Sequence, residues 1–138
     1  MNALIIALLL LGSDPTGRIR GHVRFPACMH PADLQVCAER RDGVSSCTSK
    51  LMLTEIGLAY TLEVAPGHYR VYSKSESTRP GYRAYFTNAV KCGLHLGCVD
   101  HVPVWIEVRP NKTLNGVDPD DWFAPTEVEP LEPLEPSV

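Results

Sequence analysis

The sequence predicts an all-β protein, an antiparallel β-sandwich of seven or eight short strands. Three observations carry this reading. Apolar and polar residues alternate through most segments beyond Thr16, the pattern of strands with one buried face. Turn-forming residues recur at intervals of about ten positions, the spacing of sandwich strands. Twelve prolines and ten glycines in 138 residues interrupt the chain too often for long helices, and no helical period follows the first residues.

The elements follow in order. Ile19, Gly21, Val23 and Phe25 fall on one side of a first strand whose other side carries Arg18, Arg20, His22 and Arg24, and Pro26 ends it. Leu34, Val36 and Ala38 mark a second strand, followed by a turn at Arg40, Arg41, Asp42 and Gly43. A third, weaker run covers residues 48–54. Tyr60, Leu62 and Val64 alternate next, and Ala65, Pro66, Gly67 and His68 suit a type II turn that returns the chain through Tyr69 and Val71 as a tight hairpin. Residues 74–81 have loop chemistry, and residues 83–90 look extended and half apolar. A compact cysteine loop spans residues 92–98. Val102, Val104, Ile106 and Val108 alternate with Pro103, Trp105, Glu107 and Arg109 in a penultimate strand, and Asn111 and Lys112 turn it into a last one near residues 114–117.

The stretch Gly17, Ile19, Gly21 and Val23 at alternate positions, with the later Tyr60-Thr-Leu-Glu-Val-Ala-Pro-Gly-His-Tyr-Arg-Val71, resembles the carboxypeptidase regulatory-like family of small transthyretin-like, Ig-like sandwiches. The resemblance extends through Val36-Cys-Ala-Glu39, Tyr82-Arg-Ala-Tyr-Phe86, Val90-Lys-Cys-Gly-Leu94 and Asp121-Trp-Phe-Ala124, segments similar to small exported bacterial proteins. It covers a sandwich domain over residues 17–124. It implies a stand-alone accessory or binding protein and carries over no catalytic residue. Strand and turn residues report how a sandwich is built, and such a fold hosts unrelated roles.

The net charge of -3 conceals an asymmetry. Seven acids and no base lie from Asp118 onward, leaving the rest of the chain mildly basic. Arg18, Arg20, Arg24, Arg70 and Arg83 lie in different segments, without the clustering that phosphate-backbone contacts need, so no nucleic-acid partner is expected. The run from Ala3 to Leu11 lacks polar side chains but rises only about 13 Å as a helix, short of a hydrocarbon core of roughly 30 Å, so no membrane span is expected. Its length fits a secretory signal core over residues 1–14, without a basic n-region or a small-x-small cleavage site, and an apolar first element is the alternative. The expected compartment is periplasmic or secreted. Residues 125–138, rich in Glu and Pro, read as an acidic disordered tail.

Five cysteines suit an oxidising compartment and a small core. Cys37 and Cys47 fall on neighbouring strands joined by a short turn, and Cys92 and Cys98 bracket a loop with two glycines. Both pairs are therefore expected as disulfides, worth roughly 2 to 3 kcal/mol each in the chain-entropy model. Cys28 is left over: buried, reactive or used between chains. The competing reading of the loop is a zinc site from Cys92, His95, Cys98 and His101, one ligand every three residues. His101 could otherwise steady the loop entrance beside Asp100. No cofactor is expected.

Catalysis finds no support. Cys28 and His30 lack an accompanying acid, the serines sit in turns without a nucleophile elbow, and Asp120-Asp121 before Trp122 reads as a surface turn. Tyr82, Tyr85, Phe86, Trp105 and Trp122 form the candidate binding surface, for sugar stacking or a protein partner. The plainer expectation for Trp105 is a place beneath the Trp122-Phe123 segment, folded back as a lid. The sequence is thus expected to encode a non-catalytic exported binding module for a protein or glycan. The alternatives are the zinc protein and a hydrolase inhibitor presenting the loops of residues 82–101 through Tyr85, Phe86 and Leu94. Edge strands of an open sandwich can also pair between chains, giving a homodimer.

Overall fold

The computed structural model describes residues 14–125. The leader and the tail, but for their inner ends, lie outside the described residues.

Alternation decides the layers. β1 (Gly17–Val23) buries Ile19 and Val23, and β5 (Gly57–Val64) buries Leu58, Tyr60, Leu62 and Val64. These two strands pair antiparallel along their whole lengths, with β4 (Met52–Thr54) on the outer edge of β5 and β9 (Thr113–Leu114) parallel to β1. This four-stranded sheet runs β4-β5-β1-β9. The facing sheet runs β3 (Ser45–Thr48), β2 (Gln35–Arg40), β6 (Gly67–Lys74) and β7 (Ala84–Tyr85), and β8 (Ile106–Val108) shares the β7 edge of β6. Val36, Ala38, Tyr69, Val71, Ile106 and Val108 point from it into the common core. Burying each large aliphatic side chain contributes about 1.5 to 3 kcal/mol, so the alternating phase is strongly specified. The all-β sandwich is the observed class, with nine strands among the described residues.

Several elements depart from the sequence reading. The segment at Ala65 to His68 is a crossover, not a hairpin: β5 pairs with β1 and β4, while β6 pairs with β2, β7 and β8. A Pro-Gly corner reverses the chain in either arrangement, and only the partners distinguish them. The run over residues 48–54 divides into β3 and β4, which belong to different sheets. Residues 83–90 contain only the two residues of β7, then a single-turn helix α1 (Asn88–Cys92). Thr87 caps its start by accepting from the Val90 N–H, and Gly93 in the left-handed region closes its end. The penultimate strand shrinks to β8, because Val102 is exposed and Pro103 makes only an isolated bridge to Thr87.

The segment after β9 ties the two sheets together. Asp118 accepts from the His22 N–H, Tyr60 donates to the Val117 carbonyl, and Ser73 donates to the Pro119 carbonyl. Gly21 is required here, since a Cβ would lie 1.9 Å from the Val117 carbonyl oxygen. Asp120 and Asp121, expected on a surface turn, are 2% and 0% exposed. Asp120 accepts from the Arg24 backbone N–H at 2.7 Å and its guanidinium at 2.5 Å. Asp121 accepts from the Thr87 hydroxyl at 2.6 Å and pairs with His101 Nδ1 at 2.7 Å. Trp122 then seals the end against Phe25 and Tyr82.

Burial raises the Asp120 carboxyl from 3.8 to about 6 against the opposing pull of the Arg24 contacts. A carboxyl raised on folding favours the folded state fully below its unfolded value, and that contribution is lost as pH rises through the folded one. Asp33, held down to about 2 by Ser75 and Ser77, acts with the opposite sign and only in stronger acid. Urea unfolding of the protein and of Asp120→Asn should therefore show the stability of the wild type, relative to the variant, falling by up to about 3 kcal/mol between pH 4 and pH 7.

Candidate functional site

Strand alternation turns Cys37 and Glu39 of β2 and Arg70 and Tyr72 of β6 to the outer face of the five-stranded sheet. The register sets Glu39 opposite Arg70 and Tyr72 opposite Tyr85. Arg83 precedes β7, Trp105 precedes β8, and Arg41 leaves the β2–β3 turn, so five chain segments converge on one surface.

Cations and rings interleave across it. The Arg41 guanidinium lies 4.4 Å from the Trp105 ring centroid and that of Arg70 lies 4.9 Å from it. Arg70 also lies 5.2 Å from Tyr85, Tyr85 is 5.3 Å from Tyr72, and Arg83 is 4.4 Å from Tyr72. Glu39 anchors the arrangement by accepting from Arg70 and Arg83, each at 2.6 Å. Its own burial works against the carboxylate, but the hydrogen bonds and charges of Arg70 and Arg83 prevail and hold its pKa below the ordinary value. Arg41 has no carboxylate partner among the described residues, since Asp42 pairs with Arg40. One acid against three arginines leaves the face positive.

The predicted aromatic surface divides. Tyr85 and Trp105 sit on this face, half-buried, whereas Tyr82, Phe86 and Trp122 belong to the core. Trp122 does not cover Trp105: its ring packs against Phe25 and Tyr82. The guanidiniums of Arg41 and Arg70 already engage the Trp105 ring. Of the three residues expected to present an inhibitory surface, Phe86 is internal while Tyr85 and Leu94 are half-buried, and the most exposed apolar side chains of residues 82–101 include Leu96 and Val99. The arginines escaped the sequence reading because they are dispersed along the chain. Only strand register shows that Glu39, Arg70 and Arg83 meet.

Both expected disulfides form, Cys37 with Cys47 and Cys92 with Cys98, and Cys28 is free and exposed. The four-ligand zinc set does not assemble. Cys92, His95 and Cys98 offer ligand atoms within 4.8 Å of one another, but the sulfurs are joined and His101 is engaged by buried Asp121. Asp100 does not steady His101; it accepts from Asn88 and from the Val102 N–H. The outer face of the other sheet carries an open groove of about 610 Å³ lined in part by Arg20, His22, Arg24 and Lys50. One of its cations, Arg24, is already paired with Asp118 and Asp120.

No family model matches the sequence, and no curated protein matches it. Among solved structures it is similar to a leucine-rich repeat protein from Bacteroides thetaiotaomicron, at 15% identity and a TM-score of 0.37. The similarity covers 77% of this chain and 14% of that one, and at this level it carries no argument.

Replacing Glu39 leaves two guanidiniums facing each other without a counter-charge. Since these are 34% and 45% exposed, solvent screens part of the loss. Glu39→Gln should cost about 1 to 3 kcal/mol at pH 7 in urea unfolding. A depressed carboxyl contributes stability above its unfolded value of 4.5 and loses it as pH falls through the folded one, so the gap should close in acid.

Proposed function

We propose that this is an exported, non-catalytic binding module that recognises a protein partner bearing exposed carboxylates, through the outer face of its five-stranded sheet. The observation that carries the reading is the Arg41–Trp105–Arg70–Tyr85 stack held over Glu39. Arg, Trp and Tyr are the residues that dominate protein interfaces, and here a buried carboxylate and the neighbouring strands hold them in place before any partner arrives. The flatness of a sheet face suits a protein surface better than a small ligand, which needs a concave site. The uncompensated positive charge selects an acidic partner and speeds encounter with it.

Two disulfides favour an oxidising compartment, periplasmic or extracellular. Among the described residues no helix is long and apolar enough to cross a membrane. The likeness of the Gly17 to Val23 strand and of the Tyr60 to Val71 segment to transthyretin-like accessory domains points the same way. There, Gly21 is where the closing segment crosses β1, so the motif reports sandwich construction.

Affinity capture from the exported fraction tests the reading. Tagged protein should retain an acidic partner at low ionic strength and release it at about 0.5 M salt. Arg41→Glu and Trp105→Ala, each with unchanged thermal unfolding, should weaken capture about tenfold or more. Capture that survives both changes and is insensitive to salt would contradict it.

A further inference from the structure

The Cys92–Cys98 disulfide differs from Cys37–Cys47 in its surroundings. Cys37–Cys47 joins directly paired residues of β2 and β3, with ladder pairs on either side and β6 beyond. Cys92 ends the single turn of α1, and Cys98 lies in a segment without strands, held back by a Cys98 N–H bond to the His95 carbonyl. The two sulfurs are unlike: Cys92 is exposed and Cys98 is buried. Cys92 also has an imidazole beside it. His95 Nε2 lies 3.7 Å from Cys92 Sγ, while the Gly97 N–H donates to His95 Nδ1 at 3.2 Å. Accepting at Nδ1 places the hydrogen of the neutral ring on Nε2, facing the sulfur.

We propose that Cys92–Cys98 is a thiol–disulfide exchange site that a dithiol opens in the folded protein, with Cys92 as the reacting sulfur and His95 as the donor to its thiolate. One thiolate of the dithiol attacks exposed Cys92 Sγ. The sulfur–sulfur bond breaks, and Cys98 leaves with the electron pair and takes a proton. The second thiolate of the dithiol then attacks its own partner sulfur in the mixed disulfide and expels Cys92 as a thiolate, which accepts the Nε2–H hydrogen bond. The dithiol ends as a disulfide; the protein pair has gained two electrons and, at thiol level, two protons. In the reverse direction the His95-stabilised Cys92 thiolate is the attacking group, the form in which a thiol reacts. Lys91 precedes Cys92 and adds a positive charge nearby, and the Asp100 carboxylate is committed to Asn88 and Val102.

The experiment uses full-length protein in a Cys28→Ser background, so that the free thiol cannot reshuffle the pairs. The protein is equilibrated with graded ratios of reduced to oxidised dithiothreitol, alkylated and peptide-mapped, with circular dichroism on the same samples. Cys92–Cys98 should open at ratios that leave Cys37–Cys47 closed and the sheet signal intact. In the reduced loop, iodoacetamide should modify Cys92 faster than Cys98. His95→Ala should slow Cys92 alkylation near pH 7, about three- to fourfold for each unit by which the thiol pKa rises above the working pH, since the loss of thiolate is partly offset by its greater nucleophilicity. His95→Gln, which keeps an N–H donor, should restore part of the rate. Opening of both disulfides together, only as the fold is lost, would overturn the assignment. So would a Cys92 alkylation rate that His95→Ala leaves unchanged.

Discussion

A carboxylate withdrawn from water has to be met by donors or cations, and three such groups organise this sandwich. Glu39, Asp120 and Asp121 are all buried among the described residues. Each is met from a distant part of the chain: Glu39 by Arg70 and Arg83, Asp120 by Arg24, Asp121 by Thr87 and His101. Leaving any of them unmatched would cost several kcal/mol, a large share of a stability of about 5 to 15 kcal/mol. The pairings therefore select one arrangement of strands that hydrophobic alternation alone would leave less defined.

The three act at different places. Asp120 and Asp121 belong to the segment that spans the gap between the sheets, with Asp118 and Tyr60 engaging the four-stranded side and Ser73 and Tyr85 the five-stranded side. Arg24 screens Asp120 only in part, which leaves its carboxyl raised. Glu39 is a different case, with two guanidiniums at 2.6 Å and its pKa lowered. It holds Arg70 against the Trp105 ring, so a buried group also shapes the exposed face. In the proposed reading, a partner would meet side chains already ordered, and docking would lose less conformational entropy.

The strand cores were legible because their period of two needs no knowledge of partners: Ile19 and Val23, Val36 and Ala38, and Leu62 and Val64 are internal as the alternation requires. The disulfides were legible because both pairs close short loops. Partnership was not legible. The Ala65 to His68 corner has the same residues whether it returns within a sheet or crosses to the next, and Asp120-Asp121 looks like a turn until Arg24 and His101 are brought to it. The binding face failed for the same reason, since three of its five predicted aromatic residues are core. The helix signals, Thr87 and Gly93, were present but spanned a single turn, too short to show a period.

The positive face over Glu39 is proposed to accept carboxylates. Nitrogen-15 NMR of arginine and tryptophan side chains, titrated with an oligoglutamate peptide, reads this site by site. Saturable shifts are expected at Arg41 Nε–H and the Trp105 indole N–H, weakening as salt is added. Shifts confined to Arg20 and Arg24 in the opposite groove, or none at Arg41 and Trp105, would contradict it.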